Sequence, residues 1–196
     1  AVLRNSGTAN VEVDLGNFST ITANGLTVTS ENNLAKSGLD ENFKFDGGGG
    51  ISVTVGDSRV TQDMTNRINV GDNTTIALTG TRTSKGNLIL NALTDVTSND
   101  EMVLNTGAVV GVPVSDTMIT ATARNDVLIG TGAQLTTARG DVEITAKLVT
   151  DIEAHAKTSV WGLAGVGATG KSEVSLTSSN IVDFEADSLV RGNGQV

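Results

Sequence analysis

Apolar and polar residues alternate along much of this chain, and the longest example covers residues 141–157. The even positions of that stretch carry apolar or small side chains, and the odd positions carry the charges, with Val149 as the one apolar exception. A period of two places alternate side chains on opposite faces of a β-strand. A helix over residues 147–157 stays open as an alternative, because Leu148, Ile152 and Ala156 would share one of its sides. The length of the alternation favours a strand.

The same alternation recurs in shorter pieces, each bounded by residues that form turns. The pieces lie around Val11, Leu26, Ile51, Ile76, Leu88, Ile119 and Val127. The pairs that we interpret as turns are Asn24-Gly25, Gly56-Asp57, Gly71-Asp72, Gly86-Asn87, Asn125-Asp126, Gly140-Asp141 and Asn193-Gly194. These residue types tolerate positive φ or hydrogen-bond their own backbone. The pattern predicts an all-β chain with short strands, frequent turns and no long helix.

Four segments share one design, in which a basic residue and a Gly, Asn or Asp turn lead into a strand. They are SKGNLIL (84–90), ARNDVLI (123–129), ARGDVEI (138–144) and VRGNGQV (190–196). Stacked parallel strands need only bends and tolerate repeats of unequal length, whereas an antiparallel β-sandwich needs tight hairpins. We therefore predict that residues 1–196 form a single parallel β-helix, or β-solenoid, with about ten turns of about 20 residues each. An antiparallel β-sandwich is the alternative.

Composition narrows the class of protein. The chain has 23 glycines, one proline, no cysteine and only five aromatic residues, so small β-branched side chains must fill its interior. A net charge of −9 would repel a nucleic-acid backbone. No apolar run approaches the ~18 residues needed for a transmembrane helix, so we expect no membrane insertion. The first residues contain neither an initiator methionine nor a signal core, and we expect either a processed chain or a segment of a longer one.

Residues 119–196 resemble a known class of proteins. The stretches DVEITAKLVTDIEAHAKTSVWGLAGVGATGKSEVSLTSS and DFEADSLVRGNGQV are similar to repeats of large secreted filamentous adhesins of the filamentous-haemagglutinin type. The resemblance implies a right-handed β-helical shaft, structural or adhesive, at a bacterial surface or secreted. Its expected partners are further copies of itself, in end-to-end or lateral contacts, or surface glycans. It carries over no catalytic residue, and we expect no enzymatic activity. A β-helical polysaccharide-degrading enzyme or a glycan-binding module is the alternative.

Residues 165–172, GVGATGKS, match the pattern of a phosphate-binding P-loop, with Gly165, Gly170, Lys171 and Ser172 at the required spacing. Such a loop needs a helix that begins at the lysine, because the helix N-terminus helps to hold the phosphates. The residues after Ser172 instead alternate with a period of two. We therefore interpret the motif as a glycine-rich bend, after which Lys171 resumes the outward face of a strand beside Glu173.

Three further patterns have a plainer interpretation. Arg139-Gly140-Asp141 is the tripeptide that integrins recognise at exposed loop tips, but it occupies one of the expected turns. His155 is the only histidine and lies on the polar face of its strand, so a transition-metal site would need carboxylates to complete it. Asn17 and Asn73 begin glycosylation sequons.

Calcium is the one cofactor that the sequence leaves open, because acidic residues precede or follow glycines at Asp46-Gly47 and Gly71-Asp72. Neither the EF-hand pattern nor the nonapeptide repeat of calcium β-rolls is present. A solvated acidic face is the simpler interpretation. We therefore assign no catalytic, cofactor-binding or metal-binding residue from the sequence.

Overall fold

The computed structural model describes residues 2–36, 43–162, 164–165 and 167–194, and these residues form an all-β structure with parallel sheets. Every ladder among them is parallel, so the antiparallel β-sandwich is wrong. The strands are β1 (Val2–Asp14), β2 (Thr20–Ala23), β3 (Leu26–Lys36), β4 (Phe43–Val70), β5 (Thr75–Leu78), β6 (Leu88–Ile129), β7 (Gln134–Thr137), β8 (Val142–Trp161), β9 (Ala164–Gly165), β10 (Thr169–Phe184) and β11 (Leu189–Arg191).

Paired residues lie 54 to 62 positions apart in the sequence, as in Leu88 with Val142 and Leu26 with Leu88. The predicted spacing of about 20 residues is therefore wrong. Equivalent segments stack in chain order as residues 2–14, 57–69, 116–128 and 171–183. We call each repeat a layer, and the four layers begin at residues 2, 57, 116 and 171.

The two longest strands fold back on themselves. β4 has 28 residues and β6 has 42. In β6, a Cβ atom at Gly111 would lie 2.8 Å from Thr106 Cγ2, so the two halves of the strand approach each other across its middle. In β4, a Cβ atom at Gly47 would lie 2.3 Å from Thr54 Oγ1. We call this narrow end the tip, and glycine is favoured there because threonine side chains occupy the space that a Cβ atom would need.

The opposite end is closed by a corner that repeats in all four layers. The residue two positions before each short strand has a left-handed backbone: Phe18 (φ 56°), Asn73 (φ 54°), Gly132 (φ 68°) and Asp187 (φ 58°). Backbone hydrogen bonds continue through this corner, from Phe18 N to Asp72 O and from Asn73 N to Thr131 O. Gly, Asn and Asp adopt this conformation readily, and phenylalanine does not.

The interior changes character along its length. Near the corner it is apolar, with fully buried residues such as Ile68, Leu90 and Ile129. Further towards the tip it is mixed: buried Asn66, Thr94 and Asn125 face one another, and a second apolar cluster of Met64, Val96 and Ala123 follows them. Side chains as small as these allow the facing sheets to lie close together, which agrees with the scarcity of aromatic residues.

The structure confirms some local predictions and contradicts others. Residues 142–161 form strand β8, which excludes the helix over 147–157, and Val149 is exposed on its outer face. Two predicted turns are wrong, because Gly56-Asp57 and Asn125-Asp126 lie inside β4 and β6. Asn125 is buried in a ladder of side chains, a role that its turn propensity concealed.

Candidate functional site

The fourth layer leaves the interior open. Val174, Leu176, Val182 and Phe184 of β10 are between 36% and 49% exposed. Their partners in the third layer are Ile119, Ala121, Val127 and Ile129, and each of these is 0% exposed. Side chains stacked in register are therefore buried where another described layer covers them and exposed in the last layer that the structure describes. This open layer is the candidate functional site.

A ladder of asparagine side chains leads to the open layer. Asn66 Nδ2 donates to Asn125 Oδ1 at 3.0 Å, and Asn125 Nδ2 donates to Asn180 Oδ1 at 2.7 Å. Thr94 Oγ1 accepts from Asn66 Nδ2 at 2.6 Å and donates to Asn125 Oδ1 at 2.7 Å, which joins the ladder to the first half of β6. Asn180 is exposed at the end of this ladder. A further asparagine stacked in register would extend the ladder by the same geometry.

A buried ion pair joins the first two layers. Lys36 Nζ lies 2.5 Å from Asp100 Oδ1, and their side chains are 11% and 0% exposed. The other carboxylate oxygen, Asp100 Oδ2, has no hydrogen-bond partner among the described residues. A cavity of about 290 Å³ borders Lys36 and Gln62. The lysine neutralises the carboxylate beside it, so the arrangement suits structural pairing better than acid–base chemistry.

The P-loop match does not form a phosphate site in the described residues. Thr169–Phe184 is a strand, so no helix begins at Lys171. Lys171 Nζ pairs with Glu173 Oε2 at 2.8 Å on the outer face. Ser172 faces inwards, where its Oγ accepts a hydrogen bond from Ala156 N at 3.0 Å. The lysine and the serine thus point to opposite sides of the sheet. Val166 of the motif lies outside the described residues.

The Arg-Gly-Asp tripeptide lies in the bend between β7 and β8 of the third layer, flanked by the second and fourth layers, and not at a loop tip. Its backbone accepts hydrogen bonds from the neighbouring layers, from Gly86 N to Arg139 O and from Gly194 N to Gly140 O. Gly140 is buried, and a Cβ atom there would lie 2.4 Å from Gly86 O. Lys85 Nζ lies 3.4 Å from Asp141 Oδ2. The tripeptide is therefore held by the neighbouring layers on both sides.

His155 and most acidic residues of the described structure are dispersed over the surface, whereas Asp100 and Asp126 are buried and paired with lysine or arginine. His155 Nε2 lies 3.4 Å from Glu153 Oε2 on the outer face of β8. Asp46 Oδ1 accepts a hydrogen bond from Asn105 Nδ2, and Asp72 Oδ1 accepts one from Thr131 N. Within the described ranges, no three His, Asp or Glu side chains gather in a way that could hold a metal ion.

The two sequons occupy the repeating corner described above. Asn17 is exposed, and its Oδ1 atom accepts a hydrogen bond from Asp72 N at 2.9 Å. Asn73 has a left-handed backbone.

A shallow cavity of about 420 Å³ lies at the same end of the molecule as this corner and is lined by Leu78, Thr137 and Arg191 among others. The described residues of its lining include no carboxylate, the group that glycoside hydrolysis uses.

Comparison with protein-family models, with curated proteins and with solved structures found no match to this chain. The part of the chain that the structure describes has no helix capable of crossing a bilayer.

Proposed function

We propose that this chain is a right-handed β-solenoid that serves as a structural and adhesive shaft segment of a large bacterial surface or secreted filamentous protein. It acts through its shape and surface, without catalysis or a cofactor. The open fourth layer is the main support for this proposal. Ile119 of the third layer is 0% exposed, whereas Val174, which stacks in register with it in the fourth layer, is 45% exposed. Such a layer is a template for another layer of the same kind.

The register supports a shaft. Equivalent segments stack directly over one another in four layers, and the hydrogen-bonded asparagine ladder runs along the stacking direction. Contacts between neighbouring layers extend the structure in one dimension, so stability grows with the number of layers. The resemblance of residues 119–196 to filamentous adhesins supports a location outside the cell.

Stacking at the open layer can be tested with neighbouring residues of β10 that face opposite ways. Leu176 faces the interior, and Thr177 faces outwards. Small-angle scattering of the wild-type chain should show an elongated particle whose length increases with concentration. Leu176→Asp should remove this increase, because the aspartate would be buried by the next layer, and Thr177→Asp should retain it. A compact particle, or equal behaviour of the two variants, would contradict the proposal.

A glycan-binding module is the second candidate, and one observation favours it. Trp161 is 73% exposed near the tip, where a sugar ring could stack on the indole. A glycan array probed with wild-type protein and with Trp161→Ala would test it. Binding that is lost in the variant would establish the module, and absence of binding by the wild type would remove it.

A further inference from the structure

An apolar patch lies on the outer face of the molecule beside the tip. Ile51, Val53 and Val55 of β4 are 81%, 67% and 52% exposed. They lie in register with partly exposed Val110, Val112 and Val114 of β6. These six residues, which we call the valine patch, form a contiguous array on two neighbouring strands. Contiguous apolar surface of this kind marks an interaction site.

The surroundings of the valine patch are unusual for an acidic protein. Residues 47–56, 103–115 and 158–170 contain no charged residue, although the whole chain has a net charge of −9. Binding to an anionic lipid surface draws on lysine and arginine, which these segments lack. A contiguous array of β-branched side chains on neighbouring strands instead fits another sheet face, as in the packing of two sheets.

Charges next to the patch show which sheet would fit. On the outer face, β4 continues from the patch with Asp57 and Arg59. At the matching positions of β10, two strands away, the order of charges is reversed, with Lys171 and Glu173. β6 runs between these strands. A two-fold axis parallel to β6 would place β4 of one copy over β10 of the other.

We propose that two copies of this chain pair face to face through the valine patch, around a two-fold axis parallel to β6. Asp57 then lies opposite Lys171 of the other copy, and Arg59 lies opposite Glu173. Asp116 of β6, in register with Asp57 and Lys171, lies opposite its own copy, and Arg59 Nη2, 3.9 Å from Asp116 Oδ2, offsets that like-charge contact. Packed sheets are about 10 Å apart and turned by about 30°, so these pairings apply to the positions nearest the patch. The pairing is lateral and uses a different surface from the open fourth layer. It therefore does not depend on the proposed function.

Reversing the charges tests the geometry. Asp57→Lys and Lys171→Glu should each weaken pairing by about tenfold, because each variant sets like charges opposite each other. An equimolar mixture of the two variants should pair again. In the mixed pair, each of the two contacts between positions 57 and 171 joins a positive charge and a negative charge. The double variant should also pair with itself. Sedimentation velocity over a concentration series measures each dissociation constant, and lateral pairing thickens the particle without lengthening it.

Controls separate pairing from folding. Val112→Asp should abolish pairing, and Glu143→Lys on the outer face of β8 should leave it unchanged. Circular dichroism and Tm identify any variant that does not fold. A wild-type chain that stays monomeric would overturn the proposal, and so would a mixture of single variants that does not pair. Monomers that instead bind phosphatidylcholine vesicles through Val112 would assign the patch to a lipid surface and would overturn it as well.

Discussion

Asn125 donates a hydrogen bond to Asn180 at 2.7 Å, although 55 residues separate the two in the sequence. The same amide group of Asn125 accepts from Thr94 and Asn66 through its oxygen. One side chain thus connects three layers, and it also joins the two halves of β6, which contain Thr94 and Asn125.

Asn125→Ala should therefore destabilise the chain strongly. It removes these hydrogen bonds and leaves the buried Thr94 hydroxyl without its acceptor, although Asn66 keeps its hydrogen bond to Leu93 O. The loss should cost about 2–4 kcal/mol. Urea unfolding measures the loss. Asn10→Ala is the matched control, because Asn10 is exposed on the outer face of β1, and its change should stay within about 0.5 kcal/mol. Equal losses in both variants would show that the ladder contributes nothing.

Phe18→Asn should stabilise the chain by about 1 kcal/mol, because asparagine tolerates the left-handed backbone that phenylalanine adopts at a cost. Phe18 is 76% exposed, so little packing is lost. Phe18→Ala separates the two effects, since it removes the ring and keeps the Cβ atom that resists this backbone. A gain in Tm from the alanine variant equal to that from asparagine would assign the effect to the ring.

Gly140→Ala should cost about 2 kcal/mol or more, because its Cβ atom would lie 2.4 Å from Gly86 O, a backbone atom. Gly50→Ala is the control, since a Cβ atom there meets nothing within 4 Å in the described structure. Thermal unfolding compares the two. Tolerance of alanine at residue 140 would mean that the corner is looser than the structure shows, and it would reopen the integrin interpretation of the tripeptide.

Lys171→Ala should leave the response to ATP and magnesium unchanged. The lysine is paired with Glu173 on a strand, and Ser172 faces the other side of the sheet. We expect no thermal shift with the nucleotide in either protein. A shift in the wild type that disappears in the variant would restore the P-loop hypothesis.

The ion pair of Lys171 and Glu173 should give a small dependence of stability on pH. Their hydrogen bond raises the pKa of Lys171 and lowers the pKa of Glu173. The carboxylate therefore contributes stability above its ordinary pKa of 4.5 and loses it as the pH falls through the folded-state value. The lysine contributes below its ordinary pKa of 10.5 and loses this as the pH rises through the folded-state value.

The measurement is the difference in Tm between wild type and Glu173→Gln across the pH range. It should be largest near neutral pH, disappear at both extremes, and decrease with added salt because the pair is exposed. A difference that does not change with pH would show that the pair contributes through packing instead of charge.

The alternation of residues was enough to predict strands, and it also predicted which side of residues 142–156 faces inwards. It could not predict pairing, because hydrogen bonds between residues 54 to 62 positions apart leave no local trace. Turn propensity misled the prediction at Asn125-Asp126, since asparagine favours both turns and stacked ladders. The exposed fourth layer and the valine patch depend on register, so the sequence alone did not reveal them.

The fold-back of β6 has a consequence for how the chain folds. This strand pairs with β3, β4, β8, β9 and β10, and none of these described partners is closer than 54 residues in the sequence. The ladders of β6 therefore cannot start as local hairpins, and the first of them bears a large loop-closure entropy. Later layers add to an existing edge and avoid that cost. Folding should therefore begin slowly, with the pairing of two layers. It should then advance along the stack, because each folded layer presents an edge on which the next layer can form.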